Sequence, residues 1–96
     1  MKTNNAAPYT VRLSSVGNLD HGQNPKHPMP GVPNEEVVVQ SFAEASKACR
    51  DYIAVFELGG GNWNGGQVYD AAGQFVGKFS FNGRMWDEAG CEIVIQ

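Results

Sequence analysis

Residues 67–95 read QVYDAAGQFVGKFSFNGRMWDEAGCEIVI, and the punctuation inside that stretch decides the fold. Asp70-Ala71-Ala72-Gly73 and Asp87-Glu88-Ala89-Gly90 are each a hairpin turn written in sequence. The Asp opens a type I turn by bonding its own backbone, and the Gly closes it at a position that needs positive φ. Asn82-Gly83 lies between them and reads as a two-residue hairpin loop, because both central residues of a type I′ turn sit at φ > 0. Three turns cut the segment into four short strands, about Gln67–Asp70, Gln74–Phe81, Arg84–Asp87 and Cys91–Ile95, joined as an antiparallel meander.

The turn types also set a register. A two-residue Asn82-Gly83 loop places Phe81 opposite Arg84 and Phe79 opposite Trp86. Type I turns with a glycine bulge at the other two place Tyr69 opposite Phe75 and Met85 opposite Ile93. Side chains alternate across a sheet, so two faces separate. One carries Tyr69, Phe75, Phe79, Phe81, Arg84 and Trp86. The other carries Val68, Val76, Met85, Cys91, Ile93 and Ile95, with Lys78 and Ser80 among them. Both faces are apolar enough to need cover.

Upstream of the meander, Ser41 opens an amphipathic helix over 41–58. Ser41 and Glu44 form an S-x-x-E capping box. Phe42, Ala45, Cys49, Tyr52, Ile53 and Phe56 recur at helical spacing as one apolar face, and Gly59 is placed to supply a left-handed C-cap. Lys47 and Asp51 stand four residues apart on the opposite side. Before the helix, Pro8 to Ser15 alternates Tyr9, Val11 and Leu13 with Thr10, Arg12 and Ser14, which is a half-buried strand. Val37-Val38-Val39 is a β-branched run suited to pair with it. Residues 17–34 hold Pro25, Pro28, Pro30 and Pro33 with few apolar side chains, an extended loop. Residues 1–7 read as a flexible tail. The whole is one small α+β domain: a four-stranded antiparallel β-meander over 66–96, one amphipathic helix packed on it, an N-terminal strand and a long Pro-rich loop. One helix covers one face; the N-terminal strand and the loop, or a partner, must cover the other.

Composition narrows the function. The 96 residues are 42% hydrophobic and 18% charged, with a net charge of −3. That is enough apolar material for a core, and the weak acidity argues against tight binding to a phosphate backbone. Met1 to Ala7 lacks the apolar stretch of a signal peptide, and no run approaches the ~18 residues of a membrane span. A cytoplasmic protein with Cys49 and Cys91 as buried free thiols is the expectation, with a disulfide between them the lesser alternative.

Residue types that could carry chemistry are few. Gly59 to Gly66 (GGGNWNGG) lacks the Lys-Ser/Thr of a phosphate-binding loop and follows a helix, whose C-terminal dipole repels phosphate, so it reads as a flexible connector. Asp20, His21 and His27 could ligate a metal, but scattered histidines on a loop are more often solvent-exposed and idle. Glu35-Glu36 and Asp87-Glu88 read as solvated caps. No triad, metal cluster or cofactor fingerprint stands out, and neither an enzymatic activity nor a cofactor is expected. Trp63, flanked by Asn62 and Asn64, either packs back onto the sheet or is presented to a partner as an interface anchor. The face with Tyr69, Phe75, Phe79, Phe81 and Trp86, with Arg84 beside them, is either the core beneath the helix or a platform on which nucleobases can stack.

The strings Ser41-Phe42-Ala43-Glu44-Ala45, Arg50-Asp51-Tyr52-Ile53, Gly65-Gly66-Gln67-Val68-Tyr69-Asp70 and Ser80-Phe81-Asn82-Gly83-Arg84-Met85-Trp86 resemble small accessory proteins of phages, plasmids and integrative elements of Gram-negative bacteria. The resemblance covers residues 38–88 and transfers no catalytic residue. It implies a mobile-element setting, in which proteins of this size often block host defence by binding, as anti-CRISPR proteins do. The leading expectation is a non-enzymatic protein that binds a protein partner, most sharply an inhibitor of a bacterial defence complex such as CRISPR-Cas. Its interface would centre on Asn62, Trp63, Asn64 and the aromatic sheet face. The alternative is a single-stranded nucleic-acid-binding module using Tyr69, Phe79, Phe81, Arg84 and Trp86, and homodimerisation competes for the exposed sheet edge.

Overall fold

Asp70, Ser80 and Asp87 open three hairpins of one geometry. The computed structural model describes residues 7–17 and 32–95, and each turn in it closes through a glycine N–H: Gly73 to the Asp70 carbonyl (2.9 Å), Gly83 to the Ser80 carbonyl (2.9 Å) and Gly90 to the Asp87 carbonyl (3.0 Å). The three glycines have φ of 82°, 87° and 86°, the left-handed residue that follows a type I turn in a three-residue loop. Asp70 Oδ1 accepts from the N–H groups of Ala72 and Gln74, and Asp87 Oδ1 accepts from those of Ala89 and Cys91. In the middle hairpin Ser80 takes the place of the aspartate, and Asn82 Oδ1 accepts from the Arg84 N–H at 3.2 Å.

The middle hairpin corrects the expected two-residue loop. A type I′ turn needs both Asn82 and Gly83 at positive φ, yet Glu57 is the only non-glycine residue there among the described residues. Ser80-Phe81-Asn82-Gly83 is instead a third copy of the pattern of its neighbours. The register moves by one residue, pairing Phe79 with Met85 and Lys78 with Trp86. A one-residue shift carries a side chain to the opposite face of a sheet. The expected pairs Tyr69–Phe75 and Met85–Ile93 form as read.

The strands are β1 (Tyr9–Leu13), β2 (Glu35–Val39), β3 (Gln67–Tyr69), β4 (Phe75–Phe79), β5 (Met85–Trp86) and β6 (Glu92–Ile93), with helix α1 (Phe42–Val55) between β2 and β3. They form one six-stranded antiparallel sheet in the order β2-β1-β3-β4-β5-β6. The meander is thus four strands of six. The N-terminal strand does not shield a second face; it extends the sheet by pairing Val11 with both Val37 and Val68. Between β3 and β4 the pairing steps from Val68–Gly77 to Tyr69–Phe75, leaving Val76 as the extra residue of a bulge.

Helix α1 packs on the face that carries Tyr9, Val11, Leu13, Val68, Phe79 and Met85, all buried. Ala45, Cys49, Tyr52 and Ile53 supply its buried stripe, and the Phe42 ring sits 4.7 Å from that of Tyr9. Each large side chain so buried contributes about 1.5–3 kcal/mol. The Ser41 hydroxyl caps the Glu44 N–H at 3.1 Å, while Glu44 reaches back to the Gln40 N–H at 2.7 Å. The helix ends earlier than Gly59. Glu57 takes the left-handed position at φ 52°, and Leu58 N–H returns to the Ile53 carbonyl as Glu57 N–H returns to that of Ala54. This is a Schellman motif closed by the buried pair Ile53 and Leu58, so packing rather than the nearest glycine places the stop.

Residues 59–66 are no slack connector. Asn62 is buried, its Oδ1 accepting from Gly59 N–H and its Nδ2 donating to the Val16 carbonyl. The N–H groups of Asn64 and Gly66 continue along β1 to the carbonyls of Ser14 and Arg12. A Cβ on Gly65 would lie 2.7 Å from the Arg12 carbonyl oxygen, and one on Gly66 2.5 Å from that of Phe79. Two backbones therefore close on the end of this loop, which explains Gly65 and Gly66 sterically, whereas a Cβ on Gly60 would meet nothing within 4 Å. Cys91, expected to be buried, is exposed; Cys49 is buried, and that burial pushes its thiol up to about 12.

Candidate functional site

The sheet face opposite α1 carries Thr10, Arg12, Glu36, Val38, Gln67, Tyr69, Phe75, Lys78, Trp86 and Glu92, and no helix or strand of the described residues covers it. Its most concave part lies over β4 and β5. Trp63, Phe75, Lys78, Trp86, Asp87 and Glu88 line a groove of about 490 Å³, within the range of ligand and side-chain pockets.

Each wall is held from below. Trp86 Nε1 donates to Ser80 Oγ at 3.2 Å, and the Arg84 guanidinium lies 5.0 Å over the indole. Arg84 is itself fixed by Glu92, with Nε donating to Oε2 at 2.9 Å and Nη2 to Oε1 at 2.5 Å. Hydrogen bonding from Arg84 holds the Glu92 carboxyl below its ordinary value. A rigid aromatic plate results, with its cation already paired. At the other end Tyr69 and Phe75 meet edge to face at 5.9 Å, and Phe75 is 42% exposed.

The expected site residues separate into groups. Trp86, Arg84 and Tyr69 lie on the open face. Phe79 does not: it is fully buried against the helix-covered core, because its partner is Met85 and not Trp86. Phe81 occupies the turn and faces the helix, where Arg50 lies 5.2 Å over its ring and donates to its carbonyl. Asn62 is buried in the loop that holds β1, and Asn64 is exposed beside it. Trp63 packs back: it is half-buried, its ring is 6.0 Å from that of Tyr52, and its Nε1 donates to the Phe79 carbonyl at 3.0 Å. One edge of it still reaches the groove. Asp20, His21 and His27, the metal candidates, lie outside the described residues.

Lys78, Asp87 and Glu88 belong to the groove and were missing from the set read in sequence. Lys78 is legible only from the register, since it shares the face of Trp86 once that strand moves by one. Asp87 is half committed already, because one carboxylate oxygen holds its own turn. Arg12 faces Glu36 at 3.7 Å and Arg84 faces Glu92, so the face mixes both signs instead of forming a cationic stripe. Among the described residues no three His, Cys, Asp or Glu side chains gather as a metal site, and no helix is long and apolar enough to cross a membrane. Comparison with protein-family models, with curated proteins and with solved structures finds no match to this chain.

Proposed function

We propose that the chain is a non-enzymatic binding protein whose partner is another protein, engaged through the groove over β4 and β5. The observation that carries this reading is a braced tryptophan, Trp86, beside an exposed Phe75 on a sheet face without cover among the described residues. Tryptophan anchors in preformed clefts are where binding energy concentrates in protein interfaces. The surrounding mix of Lys78, Asp87 and Glu88 suits a polar rim around an apolar centre. A stable complex here would bury about 1,200 Å² or more in total. The sharpest form, an inhibitor of a bacterial defence complex such as CRISPR-Cas acting in the cytoplasm, rests on the resemblance to mobile-element accessory proteins.

Capture from a bacterial lysate with the tagged chain, with and without nuclease, tests the reading. A stoichiometric protein that survives nuclease, and whose affinity falls by about thirtyfold in Trp86→Ala, is the expected result; a hot-spot side chain is worth about 2 kcal/mol. Unchanged affinity in that variant places the interface elsewhere.

The row Tyr69, Phe75, Lys78 and Trp86 also favours a second reading, stacking of single-stranded nucleic acid. Phe79 and Phe81 drop out of that platform. The paired arginines leave little free positive charge for phosphates, so binding that is weak or independent of salt would sink this alternative.

A further inference from the structure

The sheet ends at β2, and that edge differs from the groove in place and in chemistry. All five residues of β2 pair with β1 on one side. On the other side no strand of the described residues pairs with it. Edge strands are normally blunted by charge, shortness or cover. Here the charges stand at one end only, Glu35 and Glu36, while Val37, Val38 and Val39 fill the rest. Val38 is 66% exposed. Above the same edge, Val37, Tyr52, Val55 and Phe56 line a mainly apolar groove of about 300 Å³ between β2 and the end of α1, with Glu35 and Asp51 also in its lining, and Val55 is 70% exposed.

We propose that this edge binds a second copy of the chain, β2 against β2, antiparallel and centred on Val37. The order of charges selects that occupant and that register. Pairing about Val37 matches all five residues, setting Glu36 opposite Val38 of the second copy and Glu35 opposite its Val39. Glutamate then never faces glutamate. Centring on Glu36 would stack two carboxylates directly, which destabilises a cross-strand pair. Centring on Val38 would draw Gln40 and Ser41 into the ladder, and Ser41 is already committed as the helix cap. Residues directly opposite share a face, so a two-fold axis through Val37 keeps both helices on one side of the continuous sheet that results. The two Val55-lined grooves then meet across the axis, which supplies apolar contact beyond the strand hydrogen bonds.

The register makes a test by charge. Sedimentation equilibrium of the full chain should show a dimer. Val38→Glu sets a new carboxylate opposite Glu36 of the second copy, twice per dimer, and dimer affinity should fall at least tenfold. Val38→Lys sets a cation opposite the same Glu36, and the dimer should hold as tightly or more so. Val38 is largely exposed, so both variants keep the fold, which far-ultraviolet circular dichroism verifies. A wild-type chain that stays monomeric at the highest concentration reached overturns the proposal. Equal weakening by Val38→Glu and Val38→Lys overturns it too, since apolar contact without this register loses by either charge. Trp86→Ala should leave the dimer unchanged, which separates this edge from the groove.

Discussion

Phe79 lies directly opposite Met85 across β4 and β5, and both side chains are fully buried beneath α1. Their neighbours in the next pair, Lys78 and Trp86, therefore point the other way and form the open groove. One cross-strand pair thus divides the aromatic residues of the meander between core and surface.

Truncating Phe79 removes core volume, not a surface contact. Phe79→Ala should cost about 3–5 kcal/mol, a large part of the ~5–15 kcal/mol that holds a domain of this size. Urea denaturation checks it. Trp86→Ala, on a half-buried residue at the groove, should cost clearly less, and the opposite ranking would contradict the register.

Gly66 and Gly73 both sit at positive φ, but their surroundings differ. A Cβ on Gly73 meets nothing within 4 Å, whereas one on Gly66 meets the Phe79 backbone oxygen at 2.5 Å and nitrogen at 2.9 Å. Gly73→Ala should cost about 1–2 kcal/mol, the conformational part alone. Gly66→Ala should cost more, because β4 must also retreat. Equal shifts in the denaturation midpoint would mean that the strand yields freely.

Glu57 holds a left-handed conformation at φ 52° with its side chain exposed. Glu57→Gly removes the Cβ penalty and should raise stability by about 1 kcal/mol. The urea midpoint should rise at constant slope. A fall would show that the carboxylate makes a favourable contact.

Glu92 should titrate below an ordinary glutamate, since hydrogen bonding from Arg84 favours the charged carboxylate. The sign of the pH dependence follows. A depressed folded pKa gives stability that is fully present above the unfolded value of about 4.3 and is lost as pH falls through the lower folded value. Carboxyl carbon chemical shifts followed against pH should show the depression, and Arg84→Gln should abolish it. An unshifted Glu92 in the wild type would mean that the ion pair is open in solution.

The helix start at Ser41, the two Asp-x-x-Gly turns, the β1 alternation and the order of the meander strands are all legible in the chain, because each is decided within a few residues by hydrogen bonds or by periodicity. The middle turn is not. Asn82-Gly83 fits a two-residue loop and a three-residue loop equally well in local terms, and burial of Phe79 opposite Met85 selects the second. The helix end is similar: Gly59 is the better left-handed residue, yet Leu58 has a core site to fill, so Glu57 takes the strained position.

Local chemistry along the chain was enough to dictate the elements, their order, and the apolar stripe by which α1 seats on the sheet. Folding in three dimensions was needed to assign each aromatic residue to a face, to turn Trp63 back while Trp86 faces the groove, and to make β1 extend the sheet instead of covering it. The difference is one of range. Capping, turn formation and amphipathic period are settled between near neighbours, whereas strand register and side-chain facing depend on contacts between residues far apart in the chain, where a shift of one position reverses every side chain along the strand.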